Sequence, residues 1–402
     1  MSKKRIGMGL IGPGFIATHH IDAVRRLGNV DVVAIADYCQ EAADKRAKDL
    51  NVDRAYGRFE DLVNDPDIDV IHNTTPNYLH SPVNRMVLEA GKHIICDKPL
   101  ALNADEARQL RDIAMASRKA HVLIFNYRCH PAVQQARLMS AAGELGPIPL
   151  IHGHYMQDWL TEPETYSWRL DPSKGGASSA LGDIGLHWCD LAQHVSGARI
   201  VSVLADLTTV VPVRYVTDPA QQAFSKGALE GSRQVRIESE DLACVLLRFD
   251  TGARGSLIVG QVLPGHKNDL TLELCGRKLS VRWQQEQPNE LWLGRTAGPN
   301  CTLTKDPSQL LPEAQRYSRL PGGHQAGWSD AFFNVISDAY TWIRSDGDPE
   351  AKPAATATFE DGYRMGCVVE AMLRSYAKGG VWEDVDAGQE CAAKPAAMQN
   401  VG

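Results

Sequence analysis

The first third of the chain alternates between short apolar runs and amphipathic stretches. Residues 5–11 (RIGMGLI) have a strand pattern, followed by an amphipathic stretch that ends near Gly28. Residues 30–36 (VDVVAIA) form a second strand pattern, closed by Asp37. The same reading predicts strands over 69–75, 93–98 and 121–127, with helices over 77–91 and 105–120 between them. Such alternation predicts a parallel sheet with helices on both faces. In the stretch HIICDKP (93–99) an apolar run ends in an acid, a base and a proline. Pro99 cannot donate to a ladder. Asp97 and Lys98 are therefore predicted at the carboxyl end of a buried strand, where open α/β sheets bind their ligands.

After Arg128 the periodicity changes. A helix is predicted over 131–143, a strand over 149–159 and a helical stretch over 180–197. Strand patterns then dominate (200–213, 242–249, 254–263, 270–274, 279–283) until two closing helices at 328–344 and 359–378. Strands segregated from helices predict an α+β domain with a large, mostly antiparallel, open-faced sheet. The expected organisation is a doubly wound, dinucleotide-binding α/β domain over 1–127 and an α+β domain for substrate binding and oligomerisation over 128–386. The tail, 387–402, is small and polar without periodicity and is expected to be disordered. The polar segment 217–239 exceeds an ordinary connection and is read as a lid or an intersubunit arm.

Composition narrows the classes. A length of 402 residues suits two domains, and 44% hydrophobic with 23% charged residues supplies ordinary globular cores. A net charge of −7 without any basic stripe argues against a nucleic-acid partner. The nine cysteines are scattered without a C-x-x-C, as reduced thiols rather than a disulfide framework or zinc site. The apolar run after the N-terminal lysines is short, glycine-broken and without a cleavage site, and no stretch approaches a membrane span. A cytoplasmic protein with no membrane partner is expected.

Candidate chemistry begins at GPGFIA (12–17), which joins the first strand to the first helix. Gly12 permits the tight turn, Gly14 admits a pyrophosphate, and Ala17 lets helix and strand pack closely. The anion then meets the helix start at Phe15 and Ile16. Asp37 is placed to accept hydrogen bonds from the adenosine ribose and to repel a 2′-phosphate, so NAD is preferred over NADP. Two further strand ends, TTPNYLH (74–80) with Thr75, Asn77 and His80, and CDKP (96–99) with Asp97 and Lys98, lie along the cofactor edge. Within 180–197, Asp183 and His187 are four apart and share a helix face, with Asp190 one turn on. That pair is a candidate acid–base unit or a helix-surface contact. No metal site is expected, since HGH (152–154) offers only two side chains on one strand face.

Taken together, GPGFIA, TPNYLH, DKP and GDIGLH resemble the glucose–fructose oxidoreductase/inositol dehydrogenase/MocA (Gfo/Idh/MocA) family. The resemblance runs on through NYRCHPA (126–132), GHKN (265–268), QPNEL (287–291) and FEDGYRMGCVVEA (359–371), nearly the whole chain but its tail. It implies a Rossmann domain followed by a sheet-faced domain, homodimers or homotetramers, and hydride transfer between nicotinamide and a secondary hydroxyl of a sugar or polyol. It also implies catalytic roles for Lys98, Asp183 and His187. One departure is Asp97, where the family usually has Glu. Residues 155–176 are similar to the levoglucosan and glycoside dehydrogenase branch. There Asp158, Trp159, Trp168 and Arg169, with Arg128 nearby, suit a pyranose whose C–H face stacks on aromatic rings. The alternative for the two tryptophans is core packing. Two other functions stay open at this level: a redox-neutral enzyme that retains NAD(H), such as a sugar–sugar oxidoreductase or NAD-dependent glycosidase, and a non-catalytic sugar/NAD sensor.

Overall fold

The computed structural model describes residues 5–216 and 231–385. In chain order the first part holds β1 (Ile6–Ile11), α1 (Ala17–Leu27), β2 (Val30–Ala36), α2 (Gln40–Leu50), β3 (Arg54–Tyr56), α3 (Phe59–Val63), β4 (Val70–Asn73), α4 (His80–Glu89), β5 (His93–Cys96), α5 (Ala104–Ser117) and β6 (His121–Leu123). The strands form a six-stranded sheet in the order β3-β2-β1-β4-β5-β6, with every pairing parallel. β1 and β5 are apolar on both faces because helices cover both sides. Strand order reverses between β1 and β4, and the carboxyl ends of β1, β2, β4 and β5 open beside that crevice, the ligand position of doubly wound sheets.

The second part adds α6 (Pro131–Ala141), β7 (Leu150–Met156), α7 (Pro172–Gly175), α8 (Leu186–Ser196), β8 (Ile200–Thr208), β9 (Val213–Val216), β10 (Arg233–Arg236), β11 (Leu242–Phe249) and β12 (Arg254–Gly260). It continues with β13 (Asp269–Cys275), β14 (Ser280–Gln284), β15 (Glu290–Gly294), β16 (Cys301–Thr304), α9 (Pro312–Gln315), α10 (Trp328–Ile343), α11 (Phe359–Ala377) and β17 (Glu383–Asp384). Nine of these strands form one sheet, β16-β15-β14-β13-β7-β12-β11-β8-β17, antiparallel except for β12 on β7. α8 and α11 pack on one face, and the other leaves Cys244, Leu246 and Ile258 exposed. Alternating burial along β11, inward Ala243, Val245 and Leu247 against outward Cys244 and Leu246, is the period-2 signature of a one-sided sheet.

Several boundaries differ from the sequence reading. The strand expected over 121–127 stops at Leu123, because residues 126–129 coil into a short 3-10 turn. The strand expected over 200–213 breaks after Thr208, and β9 pairs instead with β10 in a separate two-stranded ribbon. The helical stretch 180–197 opens with a π turn at Leu181–Gly185 before α8. α2, β3, α3, β15 and β16 lack strong periodicity and are seen only in three dimensions. Late in the chain, α10 returns to the first sheet: Phe332, Val335, Ile336 and Tyr340 share a core with Met8, Leu10 and Ile21. Most of the polar segment 217–239 and the tail 387–402 lie outside the described residues.

Candidate active site

The phosphate-binding turn follows from β1. Gly12 has φ +84°, a left-handed conformation, and a Cβ there would lie 2.7 Å from Thr75 Cα. Only glycine lets the two strand ends approach this closely. Gly14 is different: a Cβ on it would meet nothing nearer than 4.0 Å, so the space above its backbone is open to a ligand. Arg46 donates to the Pro13 carbonyl at 2.8 Å and braces the turn. Phe15 and Tyr38 are exposed at its rim, and Ile16 is the N-cap of α1. Asp37 follows β2 directly, and its Oδ1 accepts from the Tyr38 amide at 2.8 Å. Burial raises its carboxyl above the usual value, against the pull of the Tyr38 amide and Arg46. These residues fit a dinucleotide: a helix start for the pyrophosphate, a backbone with open space, and a carboxylate for the ribose.

Thr75 hydrogen-bonds Asn73 Oδ1 through both its amide (3.3 Å) and its hydroxyl (2.7 Å), fixing the end of β4. His80 corrects an expectation. Its ring is buried between two backbone carbonyls, Nε2 2.8 Å from that of Thr75 and Nδ1 2.6 Å from that of Pro99, so both ring nitrogens face strand ends and neither faces a cofactor. Asn77 likewise donates to the Gly175 carbonyl at 3.0 Å.

Lys98, just past the end of β5, reaches across to the π turn that opens α8. Its Nζ donates to the Asp183 backbone carbonyl at 2.5 Å and to Asp183 Oδ1 at 2.8 Å. Asp183 Oδ2 accepts from Gln261 Nε2 at 2.8 Å, and Arg169 Nε lies 3.5 Å from Oδ1. Burial alone would raise this carboxyl, but Lys98 and then Arg169 hold it well below the usual carboxylate range. His187 sits one turn further on, among the rings of Phe125, Tyr127 and Tyr155. Burial, and then the charge of Lys98, push its pKa well below the ordinary value against the opposing pull of Asp183. The ring is therefore neutral, and its Nδ1 is buried with no hydrogen-bond partner among the described residues. A neutral imidazole with unclaimed capacity beside an ammonium–carboxylate pair can take or return a proton.

The flanking wall carries residues that the sequence did not mark. Tyr127 and Tyr155 hydroxyls lie 2.6 Å apart, the Tyr155 hydroxyl donates to Asn268 Oδ1 at 2.6 Å, and Gln157 Nε2 donates to the same oxygen at 3.1 Å. Gln261 leaves its Oε1 buried without a partner beside Asp183. No motif distinguishes a glutamine just past a strand end; only the fold brings it to the carboxylate.

The proposed sugar contacts separate into two groups. Arg169 joins the Lys98–Asp183 cluster and covers the Trp168 ring at 4.6 Å. Trp159 packs against the satellite core of Leu160, Tyr166 and Leu170, with its indole N–H on Gln157 Oε1 at 3.0 Å. Asp158 is paired with Lys267 at 2.5 Å. Arg128 is a correction: its guanidinium is buried, held by two bonds to Asp190 and a third at 2.9 Å to Asp361. It ties α8 to α11 and is spent on structure. Asp190, read as continuing the Asp183 face, belongs to that ion network. On the opposite face of the sheet from α8, His152 is joined across the ladder by Glu273 and Cys275, a grouping with metal-ligand chemistry that single-strand counting misses. Glu273 there also faces Arg282 at 3.7 Å.

Comparison with known proteins finds matches to both domains. Residues 6–127 match the family described as "Oxidoreductase family, NAD-binding Rossmann fold", and residues 133–282 match the "GFO/IDH/MocA C-terminal domain". The levoglucosan dehydrogenase of Pseudarthrobacter phenanthrenivorans is 29% identical over 396 residues, covering 95% of this chain and 98% of that protein. A solved levoglucosan dehydrogenase in complex with NADH and levoglucosan superposes with a TM-score of 0.83 at 29% identity, covering 95% of this chain and 99% of the other. An oxidoreductase structure from Sinorhizobium meliloti is 32% identical with a TM-score of 0.79, covering 94% and 99%.

Proposed function

The chain belongs to the Gfo/Idh/MocA oxidoreductase family, and on that premise we propose that it oxidises a secondary hydroxyl of a sugar, anhydrosugar or polyol with NAD⁺ in preference to NADP⁺. The observation that carries this reading is the convergence of Lys98, at the end of a strand of the first sheet, with Asp183 and His187 from the π turn and α8 that pack on the second. When bound, the nicotinamide accepts or returns the hydride. Everything else falls to the chain. Lys98 places a positive charge where the alkoxide develops. His187 takes the hydroxyl proton at Nε2, the ring nitrogen that is not sealed in the core. Asp183, kept ionised by Lys98 and Arg169, holds the ammonium in position. Trp168 and Arg169 supply a face and a donor fork for the sugar ring. The identity and coverage of the levoglucosan dehydrogenases support trying an anhydrosugar first. The division near residue 127, a self-associating open sheet face and a cytoplasmic location belong to the same reading.

The test is NADH formation with NAD⁺ and NADP⁺ in parallel against sugars, glycosides, anhydrosugars and polyols. Turnover with NAD⁺ and one group of substrates is expected. Preference for NADP⁺ would overturn the role given to Asp37. Silence across the panel, with cofactor retained through purification, would replace a dehydrogenase with a redox-neutral enzyme; silence without retained cofactor would favour a sensor.

A further inference from the structure

We infer that a buried hydrogen-bonded chain, Tyr340–His72–His20–Asp97, fixes the Asp97 carboxylate beside Lys98, and that His20, His72 and Tyr340 are positioning residues for the hydride-transfer site. The inference rests on the dehydrogenase reading for its functional consequence, but the chain itself stands on geometry. His20 lies on α1, His72 on β4 and Tyr340 on α10, and all three are sealed at 0% exposure. The Tyr340 hydroxyl is 3.0 Å from His72 Nε2, His72 Nδ1 is 2.8 Å from His20 Nδ1, and His20 Nε2 is 3.4 Å from Asp97 Oδ1.

With one proton on each ring and an ionised Asp97, a single arrangement satisfies every contact. Tyr340 donates its hydroxyl proton to His72 Nε2. His72 donates from Nδ1 to His20 Nδ1, and His20 donates from Nε2 to the carboxylate. Any other tautomer sets two lone pairs or two protons face to face at 2.8 Å, or turns a bare nitrogen toward the carboxylate. Burial lowers His72 far below its ordinary value, so this ring keeps one proton. The tautomer of His20 is thus set from His72, through the core of the first sheet.

The chain also accounts for an aspartate where the family usually carries glutamate. His20 fills the space behind Asp97; one more methylene, about 1.5 Å, would drive the carboxylate into the ring or away from it. Asp97 Oδ1 is taken by His20, which leaves Oδ2 for a ligand. His20 and Asp97 are a matched pair, with His72 and Tyr340 as their backing.

The experiment uses the full-length protein with ¹⁵N-labelled histidine. At neutral pH His72 is expected to carry its proton on Nδ1 and His20 on Nε2, the two resonances assigned by their loss in the single variants. Three substitutions at one position then separate chain from packing. H72N puts an amide donor where Nδ1 was, H72Q puts one where Nε2 was, and H72L supplies neither. H72L and H72Q are expected to raise the dissociation constant for NADH and the KM for NAD⁺ about tenfold, the weight of a hydrogen bond to a charged group, with a smaller change in kcat. H72N is expected to retain most of the wild-type affinity. A role in packing alone would favour the variant of nearer volume, H72Q, and that ranking would overturn the inference, as would an imidazolium at either position or His20 protonated on Nδ1. Tautomers and NADH binding need no substrate, so these results stand apart from a failure of the dehydrogenase reading. Assignment needs only one folded variant at each position, so the tautomers decide the chain even if one of the three His72 substitutions does not fold.

Discussion

Lys98 acquires a role only from the residue it meets. Asp183 is 85 positions away in sequence, yet its carboxylate and its backbone carbonyl both accept from the same ammonium. The consequences at residue scale are direct. His187→Ala and Lys98→Ala should each lower kcat by about 10²- to 10⁴-fold, while NADH dissociation constants, read by fluorescence titration, stay within about twofold because neither side chain belongs to the phosphate turn. Near-wild-type turnover in either variant would remove it from the mechanism. His187 also makes a prediction about pH. Its pKa is lowered from 6.5, so the ring remains a competent base as pH falls through that value. The acid limb of kcat/KM for oxidation should therefore lie below 6.5. A limb on the alkaline side instead would transfer the proton-accepting role to Lys98.

At the scale of elements, α8 and α11 are joined to each other by the ion network that Arg128 centres. Burial alone would weaken its charge, but Asp190 and Asp361 hold the guanidinium firmly protonated, and Asp361 is itself kept low by Arg128 and the Thr358 cap. Burial lifts Asp190 to about 6 even beside Arg128, and removing one member of a buried network leaves its partners buried and unpaired, at a cost of about 3–5 kcal/mol. Arg128→Ala should lose stability on that order in urea unfolding, with NADH affinity of the folded fraction unchanged. A selective loss of sugar affinity at full stability would return Arg128 to the substrate site. The element scale also shows where pattern reading fails. The three-residue β3 is too short for a period, β6 is only the first part of the strand expected over 121–127, and the pattern shows α8 but not the π turn that opens it and aims Asp183 at Lys98.

Across the whole molecule, buried neutral histidines set the response to acid. Burial lowers His93 and His121 to about 4 and His130 to about 3, and His72, His187 and His194 well below their ordinary value. Between those values and 6.5 the unfolded chain binds more protons than the folded one, so stability falls as pH falls. Thermal unfolding should thus show a Tm that declines from about pH 6.5 downward, steeply toward pH 4. A Tm level across that window would mean that these rings are hydrated in solution.

The alternation of apolar and polar positions by itself determined the doubly wound first sheet, the one-sided second sheet, the glycine turn at 12–14 and the arrival of Lys98 at a strand end. Those properties depend on the faces a single segment buries, and burial periodicity is local. Tertiary structure alone decided who meets whom: Asp183 and Gln261 around Lys98, Asp190 and Asp361 around Arg128, His20 and His72 behind Asp97, and α10 folded back onto α1. Each of those partnerships joins segments far apart in sequence through packing that no local pattern encodes. The same residue type is a ligand contact or a structural clamp according to whether a buried countercharge has already claimed it.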